Sequence, residues 1–177
     1  MSRAVLSIGS NIGDRLARLQ SVVDGLGEAV RTVSPVYETE PWGGVEQDRF
    51  LNAVILADDP DLDAYGWLRL GQRLERLNQR IREQRWGPRT LDVDLIRCTD
   101  GEGAEVRCAD PDLTLPHPRA RCRAFVLAPW LAADPAATLS VDGGVRPVRE
   151  LLAELDPIER EGVRVTALTL VVGGAGS

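Results

Sequence analysis

Apolar positions change their spacing several times along the chain, and each change predicts a different element. Ala4 to Ile8 is a short apolar run closed by Gly9-Ser10-Asn11, the pattern of a strand ending in a turn. Leu16, Leu19, Val22, Val23, Leu26 and Val30 then recur at three- and four-residue steps, which predicts an amphipathic helix capped by Asn11 or Asp14. Val33 to Thr39 is rich in β-branched and aromatic residues, but Pro35 interrupts it and predicts an edge position or a bulge. Glu40-Pro41-Trp42-Gly43-Gly44 breaks any regular element before a second strand-like run, Phe50 to Ala57. The intervening loop, about ten residues, is longer than an ordinary hairpin needs, and long loops between strands often carry function. Helical spacing returns from Leu62 to Ile81, through Leu68, Leu70, Leu74 and Leu77, and Trp86-Gly87-Pro88 stops it. Thr90 to Arg97 alternates Leu91, Val93 and Leu95 with Asp92 and Asp94, a period-two strand with carboxylates on one face. Beyond it the pattern predicts a turn or hairpin over 98–112 and short helices over Phe125 to Ala133 and Val148 to Leu155. A strand from Val163 to Val172 closes the pattern.

The order strand, helix, strand, strand, helix, strand predicts a ferredoxin-like α+β fold, a mainly antiparallel sheet with helices packed on it and C-terminal additions. Its 177 residues predict one domain over 1–172 with a frayed tail over 173–177. That fold hosts unrelated functions, RNA-binding modules among them, so function has to come from particular residues.

Composition removes several chemistries. All 21 basic residues are arginine, which excludes a Schiff-base lysine, a P-loop lysine and a protein-kinase lysine. The one histidine, His117, excludes an H-E-x-x-H zinc site, and no G-x-S-x-G elbow accompanies it for a serine triad. Cys98, Cys108 and Cys122 are odd in number and lack C-x-x-C spacing, so they predict free thiols in a reducing compartment; a Cys3His zinc set with His117 is formally open. No run of 18 apolar residues and no signal-like N-terminus occur, so a cytoplasmic protein without membrane contact is expected. A net charge of −6 and a pI near 4.9 argue against nucleic acid as a partner.

The local charge runs the other way. Between positions 69 and 89, seven arginines face only Glu75 and Glu83, a local +5. Arg69, Arg73 and Arg76 fit the solvated face of a helix, whereas Arg80, Arg82, Arg85 and Arg89 fall at or past its end, next to the aspartates. An isolated D-x-D pair is ordinarily a solvated polar face. Beside those arginines, Asp92 and Asp94 instead suit a hard cation such as Mg2+ bridging to phosphate oxygens, with guanidinium groups as the complementary clamp. A second arginine cluster, Arg119, Arg121 and Arg123, surrounds His117. Asn52, inside a strand, is a buried amide that must find partners, and could read the edge of a flat heterocycle stacked on Phe50 or Phe125.

Taken in chain order, Ile8-Gly9-Ser10-Asn11, Tyr37-Glu38-Thr39-Glu40-Pro41, Phe50-Leu51-Asn52-Ala53, Arg85 to Asp94, Leu115-Pro116-His117-Pro118 and Arg123-Ala124-Phe125-Val126-Leu127 resemble the 6-hydroxymethyl-7,8-dihydropterin pyrophosphokinase family of folate biosynthesis. The resemblance implies transfer of an intact pyrophosphate from ATP to the pterin hydroxymethyl group, with release of AMP. It implies two Mg2+ ions on Asp92 and Asp94. Phe50 and Phe125 would sandwich the pterin, whose edges would meet Asn52, Asp92 and the segment Thr39, Glu40, Pro41 and Trp42. Arg80, Arg82, Arg89, His117 and Arg123 would contact ATP or the transition state, while Gln72, Glu75, Trp86, Leu95 and Thr114 would line the nucleotide side. Whether Arg80 or Arg82 acts in the transition state stays open, as do the general base and the order of binding; a monomer is expected. A nucleic-acid module on the same fold and an inactive pterin- or nucleotide-binding protein are the rival readings.

Overall fold

The computed structural model describes residues 1–11, 13–40, 49–81 and 91–173, with 79–81 described by backbone alone. The first strand, β1 (Ser2–Ser10), runs on through Gly9 and Ser10 rather than turning there, and lies at the centre of the sheet. Helix α1 (Arg15–Leu26) begins at Asp14, whose carboxylate accepts a hydrogen bond from Ala17 N at 3.0 Å. Its stripe Leu19, Val22, Val23 and Leu26 is buried, each side chain contributing roughly 1.5–3 kcal/mol by leaving water. Val30, which continues the helical spacing in sequence, instead opens β2 (Val30–Val33), because Gly27 ends the helix with φ +55°.

Pro35 divides the second predicted strand in two, β2 and β3 (Tyr37–Thr39), both paired with β4 (Phe50–Asp59). Between them Ser34 N donates to Val54 O and Ser34 Oγ accepts from Val54 N, both at 2.9 Å, so the ladder survives where Pro35 has no donor. Helix α2 (Ala64–Ile81) follows, and then β5 (Asp92–Asp100). The main sheet has the order β10-β3-β4-β1-β5, with β2 also on β4, where β10 is Val163–Val165. β1 sits antiparallel between β4 and β5, the inserted-strand arrangement expected of the split βαβ unit, so the α+β, ferredoxin-like expectation holds.

Helices α1 and α2 cover one face of this sheet over a core that includes Leu6, Ile8, Ile55, Trp67, Leu74 and Leu95. The other face is covered by α3 (Ala124–Ala133) and α4 (Val148–Glu154) over Val5, Val54, Ile96, Leu127, Trp130 and Leu139. Two short hairpins, β6 (Cys108–Ala109) with β7 (Thr114–Leu115) and β8 (Thr138–Val141) with β9 (Gly144–Pro147), and a short helix α5 (Pro157–Glu161) complete the additions. The predicted closing strand is shorter than its apolar pattern: β10 ends at Val165, and 166–173 continues without regular structure. All three cysteines are free, as expected. Among the described residues no three His, Cys, Asp or Glu side chains gather for a metal, which removes the Cys3His alternative. No described helix is long and apolar enough to cross a membrane.

Candidate active site

On the sheet face that carries α3, one end of the central strands opens into a cleft of about 280 Å³. Its lining is Ser7, Gly9, Thr39, Glu40, Phe50, Asn52, Asp92, Asp94, Arg123 and Phe125. Strand register explains why these side chains meet. Tyr37 pairs with Asn52, Asn52 with Gly9 and Gly9 with Asp92, one row across four strands; in the next row of that face, Val54 pairs with Ser7 and Ser7 with Asp94. Residues two apart on a strand share a face, so both aspartates line the cleft while Val93 and Leu95 enter the α1/α2 core.

Asn52 is buried, and its amide is oriented by Thr39, whose Oγ1 donates to Asn52 Oδ1 at 2.6 Å. With Oδ1 engaged, the Nδ2 hydrogens remain for a ligand. The amide nitrogen lies over Gly9: a Cβ there would come within 2.7 Å of Asn52 Nδ2. Phe50, at the start of β4, and Phe125, in the first turn of α3, bring two half-buried aromatic rings to the same cleft. The Arg123 guanidinium sits over the Phe125 ring, 5.4 Å from its centroid, which places a fixed positive charge beside the carboxylates. The N-terminus of α3 is held in turn by Glu159 of α5, whose Oε1 accepts from Ala124 N at 3.2 Å.

His117 lies next to this group. Its backbone N donates to Ile96 O at 2.8 Å, and its Nδ1 accepts from Arg119 N at 3.2 Å, which leaves the proton on Nε2. Burial pushes the imidazole below its usual range; the Asp94 carboxylate pulls it up, and Arg123 and Arg119 add to the lowering. The ring is therefore a neutral Nε2–H donor near Asp94.

The expected nucleotide side is only partly assembled from described residues. Glu75 accepts from Val93 N at 3.1 Å and so ties α2 to the β5 segment between the two aspartates. Gln72 is exposed on α2 and Thr114 on the β6/β7 hairpin, and neither lines the cleft. Leu95 is buried in the α1/α2 core, so its side chain faces away from the cleft. Pro41, Trp42, Gly43, Gly44, Arg82, Arg85, Trp86 and Arg89 lie outside the described residues, as does the side chain of Arg80. Ser7 and Gly9 are cleft residues that the reading of the sequence did not assign. The signal for them is the alternation Val5, Ser7, Gly9 against Leu6 and Ile8, which continues the strand past the point where the apolar run ends.

Comparison with known proteins identifies the family. A family model described as 7,8-dihydro-6-hydroxymethylpterin-pyrophosphokinase matches residues 5–135. A Mycobacterium leprae protein is 62% identical over 175 residues, covering 96% of this chain and 92% of its own. One from Mycobacterium tuberculosis is 58% identical over 169 residues, covering 93% and 90%, and one from Bacillus subtilis 40% identical over 130 residues, covering 71% and 74%. All three carry the name 2-amino-4-hydroxy-6-hydroxymethyldihydropteridine pyrophosphokinase. Among solved structures, an HPPK-DHPS in complex with substrates superposes with a TM-score of 0.61 at 11% identity, and a wild-type Plasmodium falciparum HPPK-DHPS with SDX-DHP with 0.60 at 14%. This chain covers 86% and 87% of itself in those superpositions but spans only 43% of either neighbour, and the likeness speaks to the fold alone. The match over more than half the chain, together with relatives of 58–62% identity over nearly all of it, shows that the chain belongs to the 7,8-dihydro-6-hydroxymethylpterin pyrophosphokinase family.

Proposed function

We propose that the cleft is where this enzyme, an ATP-dependent diphosphokinase of folate biosynthesis, joins its two substrates. The enzyme transfers pyrophosphate from ATP to 6-hydroxymethyl-7,8-dihydropterin, giving the pterin diphosphate and AMP. The observation that carries the site assignment is the row Asn52, Gly9, Asp92, which sets an oriented amide and a carboxylate on either side of a residue with no side chain. A flat bicyclic ring can lie over Gly9, edge to Asn52 and Asp92, with Phe50 and Phe125 available to its faces.

Asp92 and Asp94 are two hard oxygen donors on one strand face, and among the described residues no group of three His, Cys, Asp or Glu side chains is gathered to hold a metal. That donor set fits Mg2+, which is commonly held by one or two carboxylates and completes its shell with water and substrate phosphates. We assign these two residues to hold it, with two ions expected. Bound there, the metal would neutralise phosphate charge and acidify the attacking hydroxyl. The chain's own contributions are positional and electrostatic: Asn52 and Asp92 orient the acceptor, and Arg123 supplies a fixed cation. His117 Nε2–H donates to a phosphoryl oxygen. Arg80, Arg82, Arg89 and Trp86 complete the nucleotide side in this reading, and residues 1–172 work as one monomeric unit in the cytoplasm.

Incubation of the enzyme with ATP, Mg2+ and 6-hydroxymethyl-7,8-dihydropterin tests it. AMP and the pterin diphosphate should appear in equal amounts; ADP as the nucleotide product, or no AMP, contradicts it. Phe125→Ala should weaken pterin binding about tenfold or more, since an aromatic face and its stacking are lost. An unchanged pterin affinity would remove Phe125 from the site.

A further inference from the structure

Most of the C-terminal additions fall beyond the span matched by the family model, yet one of them forms the outer wall of the strand that carries Thr39. β3 is only three residues long, and on its inner side it pairs with β4, Tyr37 with Asn52 and Thr39 with Phe50. A strand so short, paired on one side alone, would present an edge free to fray. Its outer side is taken up by 162–168. Val163 pairs with Thr39, Arg164 with Glu38 and Val165 with Tyr37, and Glu40 N donates to Gly162 O at 3.1 Å. At the other end Val36 O accepts from both Thr166 N at 2.9 Å and Thr166 Oγ1 at 2.7 Å. Thr166 Oγ1 also accepts from Leu168 N at 3.0 Å, which turns the chain so that Leu168 O receives Val36 N at 3.3 Å.

The strap is anchored further on. Gln20 of α1 donates to Val171 O at 2.8 Å and accepts from Val171 N at 2.9 Å, and Leu170 is buried against the α1/α2 core. At the cleft rim Arg164 stands 3.4 Å from Glu40, which also lies 3.5 Å from Arg49. Arg49 donates in turn to Glu38 at 2.7 Å. The segment thus fixes both ends of β3 and adds an ion pair at its rim.

We propose that residues 162–171 are a positioning element for the pterin wall, acting from outside the cleft through β3 and Thr39 on the direction of the Asn52 amide, with Thr166 as the pivotal residue. This rests on reading the cleft as the pterin site. Among the described residues Thr166 hydrogen-bonds to Val36 and Leu168, so its effect is selective in kind: loosening β3 disturbs Thr39 and Asn52, while Asp92 and Asp94 on β5 keep their own supports in β1 and Glu75.

The test compares Thr166→Val, which keeps the branched shape and the N–H but loses the hydroxyl, with Thr166→Ser, which restores it. Pterin Kd by fluorescence, KM for each substrate and thermal melting are measured. Thr166→Val should raise pterin Kd and KM about fivefold, as for loss of one or two neutral hydrogen bonds, with KM for ATP within about twofold; Thr166→Ser should return pterin affinity to the wild-type value. Arg164→Ala, at an exposed position, gives the same selective readout if Thr166→Val does not fold. Unchanged pterin affinity in both, or equal rises for pterin and ATP, overturns the proposal. Wild-type enzyme that binds no pterin overturns the site reading beneath it, a result distinct from any difference among these variants.

Discussion

A methyl group at position 9 would sit 2.7 Å from Asn52 Nδ2, closer than packed atoms tolerate, and the obstacle is a buried amide already committed to Thr39. Gly9→Ala should therefore displace that amide and lower pterin affinity about tenfold or more while far-ultraviolet circular dichroism stays that of the wild type. Thr39→Val keeps the shape but leaves Asn52 Oδ1 buried without its donor. It should cost about 1–3 kcal/mol in denaturant unfolding and weaken pterin binding alongside. Period-two alternation made Asp92 and Asp94 legible in the sequence, and Asn52 was legible as a polar residue in an apolar strand. Ser7 and Gly9 were less so, because small residues make the alternation with Leu6 and Ile8 faint and a glycine after an apolar run reads equally well as a turn. Leu95, next to Asp94 on the strand, faces the other way, into the α1/α2 core.

His117 carries a pH dependence of its own. Its folded pKa lies below the unfolded value, so between about pH 6.5 and the folded pKa the unfolded chain binds a proton that the native imidazole resists. Stability of the ligand-free enzyme falls as pH drops through that window and levels off below it. Melting curves from pH 7.5 to 5 should show a shallower decline for His117→Asn than for the wild type; parallel declines would count against a buried neutral imidazole.

At the scale of elements, hydrophobic spacing located α1, α2, α3, α4 and the four strands of the split βαβ unit, and missed where backbone chemistry overrides spacing. Val30 keeps the helical step but follows Gly27, whose positive φ ends the helix. Pro35 was legible as an interruption, but not that Ser34 would replace the missing ladder bond and let two short strands share β4. The β8/β9 hairpin had a signal in Asp142-Gly143, which adopt φ +50° and +81°, the left-handed pair a tight hairpin turn requires. Of the two caps offered for α1, Asp14 is the one used, and Asp14→Ala should cost about 1 kcal/mol of stability, measured by urea unfolding, with steady-state kinetics unchanged.

At the scale of the molecule, the sheet separates two cores, and the cleft lies on the α3 side at one end of the central strands. Core composition was legible as apolar content; its division was not, since β1 and β4 are buried on both faces and show little alternation over much of their length. The acidic total likewise concealed local chemistry, with Arg123 and His117 drawn up to the two aspartates by the α3 N-terminus and the loop before it. Trp130→Ala, in the α3 core, should cost about 3–5 kcal/mol and, because α3 carries Phe125 and Arg123, lower activity at temperatures below the melting transition.

The proposed mechanism divides the labour across three adjacent strands: Asn52 and its neighbours would bind the pterin, and Asp94 would serve the phosphoryl chemistry. Asp94→Ala, with pterin Kd by fluorescence and AMP formation under saturating ATP and Mg2+ measured on the same preparation, tests it most directly. Pterin affinity should stay within about twofold of wild type while kcat falls on the order of a thousandfold or more. Near-normal AMP formation, or loss of pterin binding in step with turnover, would contradict it.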